Sequence, residues 1–349
     1  MNLPSTIGID LGSYKTVIST TNRVLLEQPS IVAVEADTWE PICFGKKAYE
    51  MIDKTPSSIE MVYPIQRGVV ADYELTEKML KHFMNEAFSN TVLKPQIMVA
   101  MPFGVTSVQH RSVAKAIELA GGRNVKTVEA PLADAIALKL DFSKPHGYLV
   151  VDIGAGTTDI AVISMGGFVR SDSISVASFD FDEAIIRYVK KKYSINIGHR
   201  TAESIKLQIG GILPRNVTLT MKASGMENYG RRPKIFEITS DDVRLALADP
   251  IKNIYQAIRK IIEKTPADIV SDIAKEGIYL TGAGSQLYGM KEYLSQKLGV
   301  KVNMYETPGR SVAKGTALAL KYPKLTENGD YQYRALADLI VDDDGFGDF

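Results

Sequence analysis

The sequence predicts an α/β layer fold built from two related halves, and three observations carry that prediction. Strand-like and helix-like segments alternate along most of the chain. Two segments of strand, glycine turn and strand share one pattern of Asp, apolar, Gly, three residues, Thr: Asp10-Leu11-Gly12 with Thr16, and Asp152-Ile153-Gly154 with Thr158. They lie about 140 residues apart, as in a duplicated domain. The chain has 349 residues, 45% hydrophobic and 23% charged, enough for two cores. Two unrelated hairpins that share turn chemistry are the alternative reading of the repeat.

Charge and cysteine usage narrow the class. The 41 basic and 41 acidic side chains cancel, so nothing in the balance calls for nucleic acid or an acidic surface. Cys43 is the single cysteine. An internal disulfide and a cysteine-built metal site are therefore excluded, and Cys43 reads as a small apolar side chain in a reducing compartment. The opening Met1 to Thr6 lacks a positive start and an apolar core, so no signal peptide is expected. No apolar run reaches the roughly 18 residues that span a bilayer.

In order, residues 6–20 read as strand, tight turn and strand. From 22 to about 73 the chain reads as a strand-poor lobe punctuated by Pro29, Pro41, Pro56 and Pro64. Residues 74–89 have helical spacing, with Leu75, Met79, Phe83 and Ala87 on one face and His82 beside it as a surface or packing residue. Gln96 to Pro102 is a continuous apolar strand, as in the middle of a sheet. Thr106 or Ser107 caps the next helix, which Gly121-Gly122 ends. Thr127-Val128-Glu129 is a short strand, and Pro131 opens an alanine-rich helix to Leu140.

Tyr148 to Ile163 holds the second strand, turn and strand. Asp180 to Tyr193 is an amphipathic helix whose terminal Lys190-Lys191-Lys192 suits the helix dipole. Thr201 caps a helix to Gly210. Val217 to Ala223 alternates and is expected to pair with Lys234 to Thr239, with Arg231 and Arg232 at a solvated loop tip. Ser240 caps a long helix that Pro250 kinks or restarts. Gly277 to Thr281 is a strand, followed by a glycine turn and a helix from Leu287. The last ~25 residues lose this order and end in an acidic, frayed tail, Asp342 to Phe349.

The chemistry lies in the turns. Gly154, Ala155 and Gly156 leave backbone N–H groups free to face an anion, and the missing Cβ atoms let phosphate oxygens come close. Thr157 and Thr158 add hydroxyl donors, and Asp152 stands where a metal ion or an attacking water needs a carboxylate. Gly12, Ser13, Tyr14, Lys15 and Thr16 repeat the arrangement. Two such turns facing across a cleft would clamp one polyphosphate. The third turn, Gly282, Ala283, Gly284, Ser285, Gln286 and Leu287, is then a candidate for the nucleoside half of a nucleotide.

At this point the residues match a family. Ile7-Gly-Ile-Asp-Leu-Gly12, Val150-Val-Asp-Ile-Gly-Ala-Gly-Thr-Thr158 and Tyr279-Leu-Thr-Gly-Ala-Gly284 resemble the phosphate and adenosine motifs of the actin, heat-shock chaperone and sugar-kinase ATPases. Within that group the chain is similar to the MreB family of bacterial actins. The stretches Tyr63-Pro-Ile-Gln-Arg-Gly-Val-Val-Ala-Asp-Tyr73, Leu93-Lys-Pro95, Thr201-Ala-Glu-Ser-Ile-Lys206 and Pro308-Gly-Arg-Ser-Val-Ala-Lys-Gly315 occur in that family's order.

The resemblance implies an actin-like ATPase fold, α/β, with two RNase H-like domains around a nucleotide cleft, each bearing a smaller inserted subdomain. Domain I would span 1–145 with a lobe at about 31–66, and domain II 146–312 with a lobe at about 182–240. Residues 313–335 would return to domain I, leaving 336–349 as a tail. It implies ATP or ADP with Mg2+ as ligands. Gly12 to Thr16 and Gly154 to Thr158 would hold phosphates, Glu203 and Lys206 would face ribose and base, and Gly282 to Leu287 would border the adenosine. Asp10 and Asp152 would act through the water shell of the metal, with Asp152, Thr158 and Glu129 as the catalytic set.

It also implies a cytoplasmic homopolymer of paired protofilaments, peripheral on the inner face of the cell membrane, with no nucleic-acid partner. Paralogous filament proteins or wall-synthesis membrane proteins are further partners of that kind. Relatives often carry two exposed apolar residues before the Lys-Pro pair that dip into lipid, and Val92 and Leu93 stand there. Two side chains contribute about 3–5 kcal/mol by area, so a monomer would bind weakly and a filament strongly. Packing of the pair on its own domain is the alternative.

Five departures bear on mechanism. The family's two glutamates before the proline read Glu129-Ala130-Pro131 here, and the water-positioning one is the residue replaced by Ala130. Lys15 and Ser178 stand where Asn and Gly are usual, Ala155 replaces a glycine, and Phe179 an aspartate. Loss of a water-orienting group costs about 10²–10⁴-fold in rate, so binding is expected to persist while hydrolysis is slow. The same loss is similar to the MreB copies of wall-less helical bacteria, where filaments serve shape and swimming. A small-molecule kinase or other non-polymerising ATPase on the same fold is the reading from another class.

Overall fold

The computed structural model describes residues 6–88, 95–142, 144–228, 230, 232–319 and 334–335. Its two main sheets share one wiring. In the first, Val24–Pro29, Lys15–Ser19 and Thr6–Leu11 pair antiparallel in turn; Thr6–Leu11 then pairs in parallel with Gln96–Met101, and that with Arg123–Glu129. In the second, Gly167–Ile174, Thr158–Ser164 and Gly147–Ile153 are antiparallel, and Gly147–Ile153 runs parallel to Ile278–Thr281, itself parallel to Val302–Met304. The repeat seen in the glycine turns therefore extends to whole sheets, and the reading of two unrelated hairpins falls. Arg334–Ala335 adds an antiparallel edge to the first sheet.

Each sheet is buried for the reason its sequence gives. Gly147–Ile153 is buried along its whole length, as a central strand covered on both faces must be. Leu149, Val151 and Ile153 join Phe181, Ile185 and Val189 in one core, while Val150 joins Ala135 and Ala161 in another. This is the period-2 alternation of a pleated strand. In the first half Ile7, Ile9, Ile97 and Val99 share a core with Leu75, Met79 and Phe83 of the helix Tyr73–Phe88.

The halves meet through two helices, Ala130–Ala137 and Ser311–Ala319, which lie side by side; one touches the second sheet and the other the first. Their approach is so close that a Cβ on Gly315 would lie 1.7 Å from the carbonyl oxygen of Ala133, so only glycine fits. Each half also carries a small three-stranded sheet. Pro41–Phe44, Val32–Glu35 and Ile59–Val62 form one, with the short helix Lys46–Met51. Ile195–Asn196, Thr220–Glu227 and Pro233–Thr239 form the other, beside the helices Ser178–Tyr193 and His199–Ile209.

Several local expectations are corrected. The stretch from 22 to 73 is not strand-poor: it supplies an edge of the large sheet and a sheet of its own. Its prolines obscured this, yet Pro29 ends one strand and Pro41 begins another, positions where a missing N–H costs little. Thr106 caps its helix as expected, in a reciprocal pair with Gln109. Thr201 does not cap: the helix starts at His199 after Gly198. Thr239 rather than Ser240 takes the next cap, with Asp242 returning the bond. Burial works against ionisation of Asp242, but Lys192, Tyr193 and Tyr188 on the same carboxylate hold it well below the usual range. Lys192 thus has a partner beyond the helix dipole.

The helix expected from Leu287 begins only at Met290, after a 3-10 turn over Ala283–Gln286. The helix Ala267–Glu276 and the strand Ile195–Asn196 had no reading in the sequence. Val92, Leu93, Arg231 and the acidic tail lie outside the described residues. Among the described residues no helix is long and apolar enough to cross a membrane.

Candidate functional site

Both glycine turns close by the same backbone bond, Gly12 N–H to the Lys15 carbonyl at 3.2 Å and Gly154 N–H to the Thr157 carbonyl at 2.9 Å. The turns face each other across the joint between the halves. The position a Cβ would take on Gly156 is 3.0 Å from Ser13 Oγ. Ser13 Oγ also accepts from Gly68 N–H at 2.9 Å, and neighbouring Arg67 reaches the Ser175 carbonyl in the other half at 2.7 Å. The second turn also sits on the start of the helix Ser178–Tyr193, since Ser178 and Phe179 donate their N–H groups to Gly154 and Ala155. Anions favour that end of a helix dipole.

Two adjoining cavities lie between the halves. The inner one, about 110 Å³, is lined by Asp10, Gly12, Ser13, Tyr14, Lys15, Asp152, Gly154, Ala155, Gly156 and Thr157, with Ala130 and Gly309 also on its wall. The outer one, about 330 Å³, is lined by Tyr14, Phe179, Glu203, Lys206, Arg215, Ala283, Gly284, Gln286 and Leu287. Gly282 shapes the passage: at φ +80° it leaves the space into which a Cβ would come within 2.2 Å of Asp152 Oδ1. No other residue tolerates both that backbone and that approach.

The floor of the inner cavity is acidic and buried. Burial pushes the Asp10 carboxyl up to about 6, with Lys15 pulling it back and Glu27 adding to the rise. Asp152 is held well above the usual carboxylate range by burial and by the facing charges of Asp134, Asp159 and Asp10. Asp134, fully buried, accepts from Thr281 Oγ1 at 2.6 Å, and burial still pushes it up to about 7. One oxygen each of Asp134, Asp152 and Asp159 has no hydrogen-bond partner. Buried orphan carboxylate oxygens of this kind are costly unless a cation or water meets them. Among the described residues, no three His, Cys, Asp or Glu side chains sit close enough to cage a metal directly. The orphan oxygens fit a cation met through water and a ligand's own oxygens.

Most of the residues singled out in the sequence come together here, and four do not line either cavity. Thr16 turns inward to Ser30 Oγ at 2.9 Å, and Thr158 to the Val176 carbonyl at 2.7 Å. Both lie at the start of the strand that leaves a turn, and both are fully buried. Ser285 bonds back to the Gly282 carbonyl at 2.6 Å and so braces its own turn. Glu129 ends its strand just before Ala130 and is absent from the lining. Lys206 does line the outer cavity, but its ammonium already meets Asp182 at 2.8 Å and Ser178 Oγ at 2.9 Å. Burial pushes Asp182 up to about 6 even against that partner.

Sequence reasoning missed Asp134, Asp159, Asp182 and Arg215. Asp134 and Asp159 each carry a visible signal, an acid inside an otherwise apolar helix or strand. Arg215 offers none: it lies in an irregular loop and is recognised only because its guanidinium sits 3.7 Å over the Tyr288 ring.

Comparison with known proteins agrees with this geometry. A family profile described as MreB/Mbl protein matches residues 4–328. The cell shape-determining protein Mbl of Bacillus subtilis is 37% identical over 324 residues, 91% of this chain and 97% of its own. The cell shape-determining protein MreB of Escherichia coli K12 is 36% identical over 322 residues, 90% of this chain and 93% of its own. Among solved structures, MreB5 of Spiroplasma citri bound to AMPPNP superposes with a TM-score of 0.86 at 30% identity, covering 91% of this chain and 96% of that one.

Proposed function

The chain belongs to the MreB/Mbl family, and from that premise we propose that it is a nucleotide-binding bacterial actin whose filaments determine cell shape. The observation that carries the proposal is the pair of facing glycine turns with Asp152 unpartnered at the floor between them. In this reading ATP or ADP occupies both cavities, phosphates inward. Backbone N–H groups of Ser13, Tyr14, Ala155 and Gly156 orient the phosphates, and Lys15, whose ammonium is paired with Glu27, stands beside them. Gly282, Ala283 and Gly284 border the adenosine, with Glu203 on the sugar side. Mg2+, when bound with the nucleotide, would neutralise phosphate charge, and Asp10 and Asp152 would hold its water shell.

Ala130 faces the inner cavity with a methyl group, which supports slow hydrolysis: no carboxylate from that position can orient a water or take its proton. The nucleotide then sets filament state chiefly by binding. The chain assembles with copies of itself in paired protofilaments on the inner face of the cell membrane. Val92 and Leu93 dip into lipid weakly per copy and strongly per filament. Such filaments serve shape, or shape and swimming in a wall-less helical cell.

Sedimentation and negative-stain microscopy of the purified chain with Mg2+ and ATP test the proposal. Filaments that need nucleotide support it, and a chain that binds ATP yet stays monomeric at every concentration and salt would overturn it.

A further inference from the structure

One cross-cleft contact belongs to neither glycine turn, and its meaning rests on the nucleotide reading above. Tyr49, in the short helix of the first small lobe, donates its hydroxyl to Glu203 Oε2 in the helix His199–Ile209 of the other half. Arg200, one turn earlier on that helix, lies 5.7 Å over the Tyr49 ring and holds it from the far side. Tyr14, from the first glycine turn, packs edge-on against Tyr49 at 6.3 Å and against Phe179 at 6.1 Å. Tyr63 closes the cluster on Phe179 at 6.2 Å. Burial and the bond to Glu203 push the Tyr49 hydroxyl up, so it stays a donor across the physiological range.

Glu203 lines the outer cavity and also the mouth beyond it, where Tyr49 stands. A carboxylate offers about four acceptor sites. The bond to Tyr49 uses one and the neighbouring Tyr14 hydroxyl a second, and together they fix the orientation of the group, leaving the others for hydroxyls in the cavity. The chemistry that a fixed, half-buried carboxylate recognises in a nucleotide is the vicinal diol of ribose.

We infer that Tyr49 is a positioning residue for the sugar: acting through Glu203 across the cleft, it makes the site select a ribonucleotide over a deoxyribonucleotide. Because Tyr49 and Glu203 stand on different halves, this selection exists only while the two lobes are together. Sugar recognition and cleft closure are thereby one event. Phe179 and Tyr14 contribute by filling the mouth around the bond, which keeps water from competing for Glu203.

The test is a pair of titrations of the full chain with Mg-ATP and Mg-2′-deoxy-ATP, for the wild type, Tyr49→Phe, Glu203→Gln and the double variant. A hydrogen bond to a charged group supports about tenfold discrimination. The wild type should prefer ATP by about that factor, and Tyr49→Phe should shrink the ratio to about twofold while its ring keeps the packing. Glu203→Gln should do the same, and the double variant should lose nothing more. A purely structural role for Tyr49 would weaken both nucleotides equally and leave the ratio unchanged, which overturns the inference. So does a wild type that binds both nucleotides equally. If the wild type binds neither, the nucleotide reading fails first and this inference with it.

Discussion

Replacing the fully buried Asp134 with Asn should stabilise the nucleotide-free protein, and more so as pH rises. Asp134 is raised from an ordinary 3.8 to about 7, burial being the main cause. Between those values the folded chain holds a proton that the unfolded chain releases. Stability from this group is therefore present at low pH and lost as pH rises through about 7. At about 1.4 kcal/mol per pKa unit the full cost of ionisation is about 4 kcal/mol. Roughly a third of this is already lost at pH 5, and most of the rest is lost between pH 5 and pH 8. Asn has the same shape and still accepts from Thr281, whose hydroxyl lies 2.6 Å away. Its amide nitrogen takes the place of Oδ1, which has no hydrogen-bond partner, and offsets about 1 kcal/mol. Urea unfolding at both pH values should find the variant close to wild type at pH 5 and about 2–3 kcal/mol more stable at pH 8. A variant that is less stable than wild type at pH 8, or whose advantage does not grow with pH, refutes the reasoning.

Other perturbations reach the turns and the outer cavity. Gly282→Ala, with its Cβ 2.2 Å from Asp152 Oδ1 and a backbone at φ +80°, should cost about 2–3 kcal/mol and abolish nucleotide binding, as read by thermal melts with and without Mg-ATP. Lys206→Met leaves Asp182 buried without its partner and should cost about 3–5 kcal/mol at pH 8. Below pH 6 that loss should shrink as Asp182 takes up a proton, so equal losses at pH 5 and pH 8 would count against it. Ala130→Glu should raise steady-state phosphate release at least about tenfold, whereas an unchanged rate denies position 130 a role. The pair Val92→Ser and Leu93→Ser should abolish co-sedimentation of filaments with vesicles and leave filament formation intact.

The duplication was legible because a glycine turn that must approach an anion constrains every position around it. A Cβ on Gly12 would lie 2.8 Å from the Lys15 carbonyl oxygen and one on Gly282 2.2 Å from Asp152 Oδ1, and Asp10, Asp152 and Gly154 repeat the same spacing, so pattern alone located them. Thr16, Thr158 and Ser285 belong to the same pattern for a different reason: they brace the turns with internal hydrogen bonds. A sequence pattern does not separate touching a ligand from holding the loop that does. Helix starts at Thr201 and Ser240 were misread because a neighbouring Gly198 or Thr239 could cap as well. The Tyr49–Glu203 contact was out of reach altogether. It joins residues 154 positions apart, and neither periodicity nor motif spacing encodes which lobes close on each other.

The acidic floor and the aromatic mouth point to one physical design. Empty, the inner cavity forces Asp10, Asp134, Asp152 and Asp159 close together under burial, and the lost ionisation of Asp134 alone is about 4 kcal/mol. A cation bound there with its nucleotide would relieve part of that repulsion, and ligand at about a hundredfold above its dissociation constant adds about 2.7 kcal/mol of stability. The two quantities are comparable, so occupancy of the cleft decides how firmly the halves are joined. The mouth responds to the same closure, because Tyr49 reaches Glu203 only across it. In the proposed reading Ala130 supplies no group to speed hydrolysis, so the bound state would persist and the rigidity of each subunit would follow what it has bound rather than how fast it turns over.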